Sequence, residues 1–149
     1  MTLVECPEVV PTLAHWHHAE WSHYNPGQTI TKRLQQMQVF LGDSSIPSTW
    51  VAMHEGEVVG SAAIVTNDME THPELSPWLA SVYVKQDERC HGIGTRLVEH
   101  AMQQARYTDI DTLYLFTPDR QNFYQRLGWQ VMHTERYHGH DVVIMSVKL

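Results

Sequence analysis

Gly92-Ile93-Gly94, with Arg89 shortly ahead of it, is the stretch whose residue types and spacing could do chemistry most directly. From Val82 to Leu97 an apolar strand runs into a tight glycine turn and then straight into an amphipathic helix. That order builds an anion site. Glycines let the main chain approach a ligand closely, and the unpaired N–H groups of a helix's first turn carry the positive end of its dipole. A pyrophosphate is the anion such a turn suits.

Several phosphate loops share this outline, and the neighbouring residues separate them. A Walker A loop ends in Gly-Lys-Ser/Thr, whereas Gly94-Thr95-Arg96 has no lysine. A dinucleotide fingerprint needs a further glycine where Leu97 stands, and it belongs to an early strand. A lone Gly-x-Gly is more often a plain turn. Here a second block, Phe123-Tyr124-Gln125-Arg126-Leu127-Gly128-Trp129, follows the next strand. Together, Arg-x-x-Gly-x-Gly and Tyr-x-x-x-Gly-aromatic resemble the acyl-CoA signature of the GNAT superfamily of N-acetyltransferases. The order of elements fits over nearly the whole chain.

The resemblance implies an α/β (α+β) fold: a single mixed, mostly antiparallel twisted sheet flanked by helices, its strands splayed around an acyl-CoA wedge. It implies that main-chain groups of Val82 and Val84 bond the pantetheine arm, with the Val82 N–H polarising the thioester carbonyl. Arg89, Cys90, His91, Gly92, Ile93, Gly94 and Thr95 would wrap the pyrophosphate, mostly through backbone donors. Tyr124 holds the place of the superfamily's acid for the departing sulfur; its plainer reading is a core aromatic, with Phe123 beside it able to supply packing. Many relatives carry an Asn where Thr117 stands, and Asn122 at the next helix start is the substitute. The cofactor-facing positions where relatives hold a base are Trp78 and Ala80, neither of which accepts a proton. A water relayed through carbonyls, or Asp68, Glu70, His72 or Glu74 from the preceding loop, is left, and the base stays unassigned.

The elements that must position these groups follow from pattern. Pro11 to Tyr24 and Thr29 to Leu41 read as helices, the first with Leu13, Trp16 and Trp21 on one side. Thr49 to His54 and Glu57 to Val65 read as strands joined at Glu55-Gly56. Trp78 to Val84 is nearly all apolar, which predicts a central strand buried on both faces. Gly94 to Tyr107 is a helix with Leu97, Ala101 and Ala105 inward; Thr112 to Phe116 is a strand, and Gln121 to Leu127 a short helix closed by Gly128. A strand pair from Trp129 ends in Val142 to Val147.

Bulk properties narrow the partners. The 149 residues suffice for one domain, 1–149, with 42% hydrophobic and 18% charged residues. No apolar run approaches a membrane span, and the start lacks a signal-peptide layout. Cys6 and Cys90 make no disulfide framework or zinc spacing, so a reducing, cytoplasmic location is expected. A net charge of -7 argues against nucleic acid and favours cationic small molecules. Of the 11 histidines, His15, His17, His18 and His23 fall on the first helix and read as exposed or half-exposed, with metal binding the minority reading. The expectation is an acetyl-CoA-dependent N-acetyltransferase acting directly on a primary amine without a metal. A small cationic amine is favoured over a protein amino terminus or lysine, and Trp16, Trp21, Tyr24 and Trp78 would shape its pocket or simply fill core. The alternative is a non-catalytic CoA-binding sensor or partner module. Homodimers are common among such domains, but no exposed stripe here marks an interface.

Overall fold

Glu55 and Gly56 take φ of 52° and 82°, the left-handed pair that a type I′ turn demands, and this turn folds the first two strands into a hairpin. The computed structural model describes residues 7–21, 32, 48–66, 68, 69, 71–89, 92–108 and 110–149. A 3-10 turn at Pro7–Val9 leads into α1 (Val10–Trp21). Then come β1 (Ser48–His54), β2 (Glu57–Val65) and β3 (Trp78–Val84), a second 3-10 turn at Gln86–Glu88, and α2 (Ile93–Tyr107). The chain closes with β4 (Thr112–Thr117), α3 (Gln121–Arg126), β5 (Gln130–Tyr137) and β6 (His140–Lys148). The β5–β6 hairpin repeats the device of the first, with His138 at φ 49° and Gly139 at 81°.

The strands form one sheet in the order β1-β2-β3-β4-β6-β5. Every neighbouring pair is antiparallel except β3 and β4, which run parallel and share a single register pair, Trp78 with Tyr114. At that point the Tyr114 N–H donates to the Pro77 carbonyl at 3.1 Å. Beyond it the ladder stops and the two strands part.

On one face α2 buries Leu97, Val98, Ala101, Met102 and Ala105 against Trp50, Leu79, Leu113, Leu115 and Met145. Each of the leucine, valine and methionine side chains contributes about 1.5–3 kcal/mol when removed from water. On the other face α1 packs Val10, Leu13 and Ala14 on Val51 and Val58, while Met69 from the β2–β3 loop joins Trp78, Tyr137, Val142 and Ile144. Trp78 is therefore plain core, fully enclosed.

Two expectations need correcting. β3 is not buried along its length: Trp78–Ala80 are enclosed, but Ser81 to Val84 are half-buried, because the sheet opens beside them. The first helix starts at Val10 rather than Pro11. Residues 22–24, with His23 and Tyr24, and the expected helix Thr29 to Leu41 lie outside the described residues, apart from Lys32. Among the described residues, no helix is long and apolar enough to cross a membrane.

Candidate active site where the sheet parts

A Cβ placed on Gly94 would stand 3.6 Å from both the Phe123 ring and a Val84 methyl. The start of α2, the start of α3 and the far end of β3 thus meet at one point. Gly92 caps α2 in the left-handed region at φ 79°, and the Arg96 N–H donates to its carbonyl at 3.1 Å as the first helical bond. The N–H groups of Ile93, Gly94 and Thr95, just ahead of that bond, have no carbonyl of their own helix to meet. They form the electropositive end of the helix dipole. Cys90 and His91 lie outside the described residues.

β3 carries one extra residue. Ser61 pairs with Tyr83 and Ala63 with Ala80, so Ser81 and Val82 together oppose Ala62. Ser81 sits at φ 55°, a conformation that costs a non-glycine residue energy and marks the bulge. The insertion shifts the strand's alternation. Pro77 shows its carbonyl to β4, yet the Lys85 N–H donates to Val59 on β2 at 2.7 Å. Counting back from Lys85, the main-chain groups of Val84 and Val82 face the opening toward β4.

Arg89 is turned back onto β3. Its Nε donates to the Val84 carbonyl at 2.8 Å, its guanidinium lies 5.3 Å from the Tyr83 ring centre, and it is 4.0 Å from the Glu20 carboxylate. The side chain fixes the loop, and that hydrogen bond engages the Val84 carbonyl.

Tyr124 is buried, edge-on to Phe123 at 5.0 Å and to Trp129 at 6.0 Å between ring centres. Burial pushes its phenol well above the ordinary tyrosine value, against a smaller pull from Arg120. It stays protonated and able to donate. Thr117 is buried too, and its hydroxyl oxygen accepts the Arg120 N–H at 3.0 Å and the Asp119 N–H at 3.4 Å, tying the turn into α3. Asn122 is exposed.

Residues 45–131, more than half of the chain, match the family described as "Acetyltransferase (GNAT) domain". The chain belongs to the GNAT acetyltransferase family. Among solved structures, an aminoglycoside 6'-N-acetyltransferase complexed with coenzyme A is 14% identical, with a TM-score of 0.76 over 97% of this chain and 92% of that one. A ribosomal-protein-alanine N-acetyltransferase from Brucella melitensis is 21% identical, with a TM-score of 0.73 over 95% of both chains. A GNAT acetyltransferase from Elizabethkingia anophelis with acetyl-CoA bound is 15% identical, with a TM-score of 0.59 over 77% and 82%. No curated protein matches the sequence.

In this GNAT chain two features escaped the sequence reading. His17 is not an exposed helix histidine: it is 2% exposed, and its Nε2 lies 2.9 Å from the Ser61 hydroxyl. The signal was present, since Val10, Leu13, Ala14 and His17 share one helical stripe. Its ring stands edge-on to Tyr83, which stacks on Trp16 at 5.5 Å. The β2–β3 loop is also more than a solvated acidic stretch. His72 is half-buried, with Nδ1 3.0 Å from Glu74 and Nε2 2.6 Å from Glu135 on β5. His133 reaches the same Glu135 oxygen at 2.7 Å. The hydrogen bond to Glu135 raises His72 above the ordinary imidazole value, and Glu135 is lowered chiefly by His72. A protonated imidazole bridging two carboxylates accounts for this arrangement.

Proposed function

We propose that the chain transfers the acetyl group of acetyl-CoA directly to a primary amine where β3 and β4 part. The observation that carries this is the meeting of the glycine-capped α2, the bulged edge of β3 and the Phe123-Tyr124 pair at Gly94. A gap between parallel strands with main-chain groups on its edge suits the amide-bearing pantetheine arm, and the amides opening α2 suit a pyrophosphate. The residues present fit the donor.

In this reading the amides from Ile93 to Thr95 hold the pyrophosphate, while the Arg89 side chain keeps the loop in place. The Val82 N–H donates to the thioester carbonyl oxygen as charge builds there. The neutral amine attacks that carbon, the C–S bond breaks, and the Tyr124 hydroxyl gives its proton to the departing sulfur. The proton lost by the amine goes to water, since Trp78 and Ala80 offer no acceptor. A cationic small amine is the favoured acceptor, given the net charge of -7 and the carboxylates of Glu74 and Glu135 on the face away from α2.

Thermal unfolding with and without acetyl-CoA, followed by thiol release against a polyamine, an amino sugar and a peptide with a free amino terminus, tests this. Stabilisation with amine-dependent release is expected. Stabilisation without release from any amine would favour the CoA-binding sensor, and no stabilisation at millimolar donor would refute the site.

A further inference from the structure

We infer that His17, acting through Ser61, is a positioning residue that sets the direction of the Val82 N–H, an inference resting on the reaction proposed above. The chain of contacts runs from α1 through β2 to β3. His17 Nε2 lies 2.9 Å from Ser61 Oγ, and Ser61 Oγ donates to the Ser81 carbonyl at 2.8 Å. Both side chains are buried, with His17 2% and Ser61 0% exposed. A serine hydroxyl has one hydrogen, and here it is given to Ser81. The imidazole must therefore donate to Ser61, which places a proton on Nε2.

The consequence follows from peptide geometry. The Ser81 C=O and the Val82 N–H belong to one planar trans unit, in which the two bonds point in opposite directions. Ser61 is a β2 residue, so holding the Ser81 oxygen toward β2 turns the Val82 N–H toward the opening beside β4. Ser81 is the φ 55° residue of the bulge, where it and Val82 together oppose Ala62 and the regular register with β2 shifts. The Ser61 hydroxyl holds the Ser81 carbonyl at that shift. Tyr83 walls the relay, its ring edge-on to His17 at 6.2 Å between centres and stacked on Trp16.

Nothing in this role asks His17 to change its charge. A neutral ring donating from Nε2 is enough, and a glutamine amide reaching the same place would serve. That separates positioning from proton transfer.

Four variants test the inference: His17→Ala, Ser61→Ala, the double variant, and His17→Gln. Two readouts are taken on each folded protein, amide hydrogen exchange at Val82 and the steady-state constants for acetyl-CoA. His17→Ala and Ser61→Ala are expected to speed Val82 exchange and to lower kcat by about 10- to 100-fold, less than the about 100- to 1,000-fold of an oxyanion donor removed outright, because the Val82 N–H is misaimed and not lost. KM for acetyl-CoA and Kd for CoA should move by less than about threefold, since the pyrophosphate site is untouched. The double variant should be no worse than the poorer single one, because both break one chain. His17→Gln should recover most of the lost kcat. Unchanged kcat and unchanged Val82 exchange in Ser61→Ala would overturn the inference. So would a His17→Gln protein with native Val82 exchange and the low kcat of His17→Ala, since that assigns the ring a proton-transfer role. Should His17→Ala not fold, Ser61→Ala alone decides. If the wild-type chain releases no thiol with any amine, the proposed reaction fails, and Val82 exchange still decides the relay.

Discussion

Leu79 and Val82 pack into the same core against α2, although a regular strand would turn them to opposite faces of the sheet. The bulge at Ser81 reconciles them. Before it, Trp78 and Leu79 alternate between the two cores; after it, Val82 and Val84 join the α2 side and Tyr83 meets α1. One added residue re-aims both the side chains and the main-chain groups beside the opening.

Tyr124→Phe should cut kcat by about 100-fold or more, the scale of a lost general acid. CoA affinity should hold, because the ring's packing on Phe123 and Trp129 is kept. With the wild-type phenol held protonated by burial, its ionisation should leave no alkaline limb in the kcat–pH profile below pH about 10. Steady-state kinetics and calorimetry with CoA check both points, and unaltered turnover would remove Tyr124 from the mechanism.

Gly92→Val should weaken CoA severalfold. A Cβ there would meet nothing within 4 Å, so the cost arises from φ 79° rather than from crowding. Strain at such a position is about 1–3 kcal/mol. It would be relieved by moving the turn that opens α2. Calorimetry reads the affinity, and a wild-type value would mean that the anion site lies elsewhere.

Gly60→Ala should lower stability. Its Cβ would fall 2.8 Å from the Tyr83 carbonyl and 2.9 Å from a Leu97 methyl, closer than packed atoms come. Overpacking of this kind costs about 1–3 kcal/mol. A denaturation midpoint equal to wild type would show that β2 and β3 yield more easily than their contacts suggest.

The His72–Glu135 tether should make stability depend on pH. His72 is raised from 6.5, so its contribution is complete below that value and is lost as pH climbs through the raised one. Glu135 is lowered from 4.5, so its contribution is complete above that value and is lost as pH falls through the lowered one. The tether is whole between those ordinary values. Melting temperatures of wild type and Glu135→Gln should differ most near pH about 5.5 and converge as pH climbs through the raised His72 value. A constant difference across that range would show that charge plays no part.

Strand and helix positions were legible where pattern is local. β2 and β3 fall on Glu57–Val65 and Trp78–Val84 as read, because short apolar runs and the turn residues that flank them mark both ends. Glu55-Gly56 announced its hairpin by composition, whereas the expected strand pair from Trp129 was left without a placed turn, which falls at His138-Gly139. The opening between strands was foreseen through the family resemblance, which encodes long-range pairing that periodicity does not. The bulge was not legible: Leu-Ala-Ser-Val reads as an unbroken strand, and only the register with β2 reveals the extra residue. The burial of His17 was legible in its helical stripe, but its hydrogen bond to Ser61 was not, because that partner is distant in sequence and carries no signal of its own. Arg89 was read as part of the pyrophosphate wrap, mostly through backbone donors; the contacts of its side chain with the Val84 carbonyl and Glu20 join segments distant in sequence and carried no signal there.

The single register pair of Trp78 and Tyr114 gives the sheet the mechanics of a clothes-peg. β1 to β3 form one arm and β4 to β6 the other, with the aromatic packing of Trp78 on Tyr114 and Phe116 as the spring. A small rotation about that pivot barely moves the atoms around it, but it changes the separation most at the far end, where Val84 stands. The leverage of the architecture is therefore greatest at its business end, and stiffness there is governed by side chains that never approach a substrate.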